Sequence, residues 1–101
     1  MNAETVMQVL RGLAHPRRYA IAYQVLHKGP ISVVDVYKSL GLEQARTSLD
    51  LRALKGAGIV DNTKRSGYVY YEVLPEVEPL LKHIFEASNG IEDLLVEENK
   101  D

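Results

Sequence analysis

Residues 42–60, LEQARTSLDLRALKGAGIV, combine an amide, a hydroxyl, guanidinium groups and bare apolar side chains within a few turns of one segment. On a helix turning about 100° per residue, Thr47, Leu51, Leu54 and Gly58 fall near one line, which we read as the buried face. Ala45, Ser48, Leu49, Arg52, Ala53 and Gly56 fall on the other side, with Gln44 at the exposed first turn and Arg46 on the flank. Base edges in a major groove use that mixture. Gln bonds adenine in two places, Arg matches guanine or a phosphate, Ser pairs with several bases, and small apolar groups meet the thymine methyl. The candidate base readers are therefore Gln44, Ala45, Ser48, Leu49 and Arg52. Small Ala45 and Ala53 allow the helix to sit close. The plainer use of Leu49 is to pack under a neighbouring element.

Further cations accompany this face. Lys64 and Arg65 lie with Asn62, Thr63 and Ser66 in a polar, glycine-ended stretch, Thr63 to Gly67, read as a hairpin tip. Two cations there suit phosphates or a minor groove, or serve only solubility. Arg46, Thr63, Lys64 and Arg65 are thus the candidate backbone contacts. Asp50 opposes phosphates, and it stands four residues after Arg46, so an i, i+4 pair is expected; acceptance of a cytosine amino proton is the alternative. Arg17 and Arg18 open a helix, where cations oppose the dipole. One is expected on an internal carboxylate and the other on a DNA phosphate, with nothing to choose between them. Tyr68 and Tyr70 alternate against Tyr71, and all three read as strand packing.

The elements that must position these groups follow from periodicity. Val6, Val9, Leu10 and Leu13 mark a helix over residues 3–14, and Pro16 opens a second through residue 28. Gly29-Pro30 stops it. Ile31 is extended, as one rung of a sheet. Ser32 and Asp35 have capping-box spacing for a third helix through Leu40, which Gly41 closes. The fourth helix covers residues 43–55. Residues 59–62 and 68–74 form two strands. A stripe from Val77 through Leu80, Leu81, Ile84, Phe85, Ile91 and Leu95 predicts one long last helix opened by Pro75, kinked at Gly90; two helices broken there is the alternative. The expected fold is mainly α with a small β-hairpin: a winged helix-turn-helix. Its parts are an N-terminal dimerisation helix at 1–14, the helix-turn-helix at 32–57, the wing at 59–74, a C-terminal dimerisation helix at 75–98 and a tail at 99–101.

One domain of 101 residues fits, and so small a domain gains from a second subunit. The dimer face is expected on the first and last helices, through Val6, Leu10, Leu80, Leu81, Ile84, Phe85, Ile91 and Leu95. A net charge of −2 conceals a split. Residues 1–71 hold ten Lys/Arg and five Asp/Glu, whereas residues 72–101 hold two and nine. The basic body suits nucleic acid despite the acidic total. No membrane span and no signal peptide are expected. The absence of cysteine excludes disulfides, thiolate metal sites and thiol redox sensing, and a reducing cytoplasm is the expected compartment. No phosphate-binding glycine loop and no nucleophile-base spacing point to an enzyme.

With these features in place, the chain resembles the ArsR family of winged helix-turn-helix repressors. The resemblance rests on LRGLAHPRRYAI, GLEQARTSLDLRALKGAGIV and RSGYVYYEV and covers residues 5–85. It implies a homodimer that binds operator DNA, often released by a metal or another signal. It also implies that Gln44, Ala45, Ser48, Leu49 and Asp50 face DNA, although the family tends to carry a small hydroxyl at the place of Ala45 and basic or imidazole groups at those of Leu49 and Asp50. Where metal-sensing members keep a cysteine pair, this chain has Val33 and Val34, so that site is absent. A second family metal site would need more than His83 among Glu76, Glu78, Glu86 and Asp93, and His83 reads as a surface histidine. His15 is expected to cap the second helix and His27 to sit near its C-terminal end. The expectation is a dimeric, sequence-specific regulator of double-stranded DNA with no metal and no cofactor, its effector, where one exists, unidentified. The competing class is a winged-helix protein-interaction module, and a third is a small-molecule sensor in the groove between helices.

Overall fold

The computed structural model describes residues 1–95. Five helices and a three-stranded sheet follow in the order α1 (Ala3–Leu13), α2 (Pro16–Lys28), β1 (Ile31–Ser32), α3 (Val33–Leu40), α4 (Gln44–Gly56), β2 (Val60–Arg65), β3 (Tyr68–Val73) and α5 (Glu78–Glu86). A single 3-10 turn, Glu92–Leu94, comes last.

Local chemistry sets most of these boundaries. Asn2 accepts from the Thr5 amide at 2.8 Å and starts α1. The His15 ring accepts through Nδ1 from the Arg17 amide at 3.2 Å ahead of Pro16, so His15 is the expected cap of α2. The Ser32 hydroxyl accepts from the Asp35 amide at 3.1 Å and starts α3. Gly41 then turns the chain left-handed, at φ 68°, into the short connection to α4. His27 lies in the last turn of α2, its ring edge-on to Tyr23 at 4.2 Å.

The core is one cluster in which Val9, Ile21, Leu51, Leu54, Ile59 and Leu81 are fully buried. Each such side chain stabilises the fold by roughly 1.5–3 kcal/mol. Leu51 and Leu54 therefore anchor α4 from below, with Thr47 beside them bonding the Glu43 carbonyl at 2.8 Å. α1 approaches this floor closely: a β-carbon at Gly12 would lie 2.8 Å from both Ala57 Cβ and Ile59 Cδ1.

Ile31 and Ser32 pair with Tyr71 and Tyr70, so the sheet has three strands in the order β1-β3-β2. The hairpin is tighter than expected. Thr63, Lys64 and Arg65 belong to β2, and only Ser66 and Gly67 form the turn, both with positive φ (51° and 82°). A two-residue turn of that kind matches the twist of the flanking strands.

The single long last helix does not form. α5 opens at Glu78, with Pro79 rather than Pro75 in its first turn, and ends at Glu86. Gly90 then adopts φ 79°, and beyond it Ile91 and Leu95 return to the core. The helix thus stops four residues before Gly90, and only a 3-10 turn follows, so neither the kinked helix nor a second helix forms. Residues 96–98 of the expected helix and the tail at 99–101 lie outside the described residues.

Candidate nucleic-acid interface

α4 presents the two faces expected of it. Thr47, Leu51 and Leu54 are buried, while Gln44, Ala45, Arg46, Leu49, Arg52 and Ala53 are exposed. Leu49 is 61% exposed and packs under nothing. All five candidate readers, Gln44, Ala45, Ser48, Leu49 and Arg52, line one shallow hollow of about 630 Å³ on the outer side of α4. That hollow carries an amide, a hydroxyl, a guanidinium and small or apolar groups, with the Glu43 carboxylate at its edge.

Asp50 departs from expectation. It is buried at 6% exposure, and its Oδ2 accepts from Arg17 Nε at 2.9 Å. The expected partner, Arg46, is exposed and pairs with no carboxylate of the described residues. The reason is direction: Asp50 lies next to the buried Leu51 and points at the start of α2, whereas Arg46 points to solvent. Asp50 consequently keeps its carboxylate on Arg17 and off the outer face of α4. It ties α4 to α2, and it gives Arg17 the internal carboxylate expected for one of the two arginines. Arg18 differs from expectation, because it is turned to backbone rather than toward a phosphate. Its Nε and Nη2 donate to the Gly12 and Arg11 carbonyls at 2.8 and 3.2 Å, satisfying the open end of α1.

The wing stands beside α4. Alternation along β2 and the register Asn62↔Tyr71, Lys64↔Val69 and Thr63↔Tyr70 put Lys64 and Arg65 on opposite faces of the hairpin. Arg65 lies over the Tyr70 ring, 5.5 Å from its centroid. Tyr71 is buried and lies on the face opposite Tyr68, which is 54% exposed and is not strand packing. Between α4 and the wing runs a second hollow of about 330 Å³, lined by Ser48, Arg52, Lys55, Asn62 and Tyr71 among others. Lys55 reaches across it, donating to Asn62 Oδ1 at 2.6 Å and lying 3.7 Å from Asp61. Lys55, Asn62 and Tyr71 were not among the sequence candidates. Only strand register brings the last two against α4, and the sole hint in the sequence is a tyrosine placed on the inward alternation. Burial pushes the Tyr71 hydroxyl above the usual phenol range, with Arg52 opposing the shift and Asp61 adding to it.

The expected dimer face divides. Leu81, Phe85, Ile91 and Leu95 are buried within the chain's own core and offer no surface. The Phe85 ring is held edge-on by Tyr19 and Tyr23 at 4.9 and 5.4 Å. Val6, Leu80 and Ile84 keep part of their surface, and Leu10 is 48% exposed beside Met7 at 50%. Among the described residues no group of three or more His, Asp or Glu side chains is placed to hold a metal ion. None of their helices is long and apolar enough to cross a membrane.

No protein-family model matches the chain. Individual proteins do. The HTH-type transcriptional regulator NmtR of Mycobacterium tuberculosis is 34% identical over 71 residues, covering 70% of this chain and 58% of that protein. The biofilm growth-associated repressor of Agrobacterium fabrum is 34% identical over 72 residues, covering 71% of this chain and 61% of that protein. The chain thus spans about three fifths of the length of these relatives. Among solved structures, a homodimeric winged helix-turn-helix DNA-binding domain from Mycobacterium bovis, a possible ArsR-family regulator, superposes with a TM-score of 0.76 at 25% identity, over 83% of this chain and 78% of that one. By sequence and fold together, the chain is similar to the ArsR family of winged helix-turn-helix proteins.

Proposed function

We propose that this protein is a sequence-specific regulator of transcription, acting on double-stranded DNA as a homodimeric repressor rather than as an enzyme. The observation that carries the reading is the outer face of α4. Five side chains with base-edge chemistry converge on one exposed hollow, on a helix whose other side is fastened to the core by Leu51, Leu54 and the Arg17–Asp50 pair. Gln44, Ala45 and Leu49 sit outermost and face base edges. Ser48 and Arg52 form the shoulder toward the wing. Arg46, Thr63, Lys64 and Arg65 meet the sugar-phosphate backbone. The NmtR protein and the Agrobacterium repressor support a regulatory role by their names, and the Mycobacterium bovis domain supports a homodimer. Val6, Met7, Leu10, Leu80 and Ile84 are the side chains with apolar surface left for that contact. With Val33 and Val34 in place of a cysteine pair, release from DNA would not run through thiolate metal binding.

The test is selection of bound duplexes from a random pool at low and at high salt. A regulator of this kind enriches a two-fold symmetric site with half-sites about one helical turn, ~34 Å, apart. Failure to retain any duplex in dilute buffer would refute the reading and favour a protein-docking role.

A further inference from the structure

The hollow between α4 and the wing has a feature that base reading does not explain. Tyr71 is a buried residue, 5% exposed, yet its hydroxyl has no hydrogen-bond partner among the described residues and is not closed off from solvent. Its opening is into the hollow that Ser48, Arg52, Lys55 and Asn62 also line. A hydroxyl open to solvent and bonded to no protein group is free to donate to a ligand. Around it stand two cations and further donors. Arg52 is close enough to act electrostatically on the phenol. The Asn62 carbonyl is already taken by Lys55, which leaves its amide hydrogens to give. Asp61 lies 3.7 Å from Lys55 and offsets part of its charge, which leaves Arg52 as the main cation facing the cleft.

We propose that this cleft is a seat for a single phosphate group, with Arg52 and Lys55 supplying counter-charge and Tyr71, Ser48 and Asn62 supplying hydrogen bonds. The phosphate comes either from the DNA backbone, in which case the assignment deepens the function proposed above and rests on it, or from a free phosphate in solution. Arg52 then positions the protein on DNA rather than reading a base.

The test has two arms on the full chain. In the first, sodium phosphate is titrated at pH 7 against sodium chloride of matched ionic strength, and backbone amide shifts are followed by NMR. Saturable shifts confined to Ser48, Asn62, Val69 and Tyr71 are expected. Tyr71→Phe, which keeps the buried ring, and Arg52→Gln should each raise the midpoint about tenfold, the loss of one hydrogen bond to a charged group. Unchanged melting of Tyr71→Phe confirms that the fold is intact. Shifts that drift without saturation and match those in chloride overturn the proposal, whatever DNA does. In the second arm, a selected duplex is bound by the same variants. Uniform weakening of all sequences, with a salt slope lower by about one unit for Arg52→Gln, identifies the backbone as the source. A changed preference at one base position in Arg52→Gln, with free phosphate binding unaltered, overturns it. Saturable phosphate binding with no duplex binding leaves the cleft as a seat for free phosphate and refutes the function proposed above.

Discussion

Removal of the Asp50 carboxylate separates a structural role from a reading role for that residue. Asp50 and Arg17 meet at 2.9 Å with side chains only 8% and 13% exposed. Breaking a buried pair by deleting one partner typically costs about 3–5 kcal/mol, because the remaining charge stays in a poorly solvated place. The slight access of both groups to water puts Asp50→Ala near the lower end, at about 3 kcal/mol. A domain of this size holds about 5–15 kcal/mol in total, and each kcal/mol moves the midpoint by roughly 4–8 °C. The melting temperature should therefore fall by roughly 12–24 °C. Thermal unfolding by circular dichroism measures it, at one fixed protein concentration because self-association makes midpoints concentration-dependent. Arg46→Ala is the control: an exposed arginine without an ion pair should cost less than about 0.5 kcal/mol. Arg17→Met combined with Asp50→Leu, which replaces the pair by apolar groups, should recover most of the loss. The reasoning is refuted if Asp50→Ala melts within a degree or two of the parent, or if Arg46→Ala is equally harmful.

Other substitutions probe other parts of the molecule. Gln44→Ala should cost roughly 1–3 kcal/mol of DNA affinity and relax one base position; selection from a random pool with an unaltered motif would show that Gln44 reads nothing. Lys64→Ala and Arg65→Ala should each weaken all duplexes alike and lower the salt slope by about one unit, as affinities measured over a salt series would reveal. Gly12→Ala places a methyl 2.8 Å from Ala57 Cβ and Ile59 Cδ1, and overpacking of that kind should cost about 1–3 kcal/mol in denaturant unfolding. Gly67→Ala forces an alanine to φ 82° at the wing turn, with an expected loss of about 1–2 kcal/mol and no change in base preference.

What could be read from the chain alone was whatever local spacing decides. The period of α4 assigned its buried Thr47, Leu51 and Leu54 and its exposed Gln44, Ala45, Leu49 and Arg52, since a helical face depends only on neighbours within a few turns, but it missed the burial of Asp50. The caps at His15 and Ser32 and the helix stop at Gly41 were legible for the same reason. Tertiary structure alone determined the rest. The partner of Asp50 stands 33 residues away on another helix, and no i, i+4 rule could have displaced Arg46 in its favour. Arg18 was taken by carbonyls at the end of α1, which become open acceptors only once that helix ends and α2 folds back on it. The apolar stripe from Val77 to Leu95 was real, but a stripe says only that side chains are buried. The left-handed bend at Gly90 decided that Ile91 and Leu95 enter the core from a separate turn. The cleft at Tyr71 likewise exists only because strand register sets Asn62 and Tyr71 side by side against Ser48 and Arg52, a contact across the fold that no local pattern encodes.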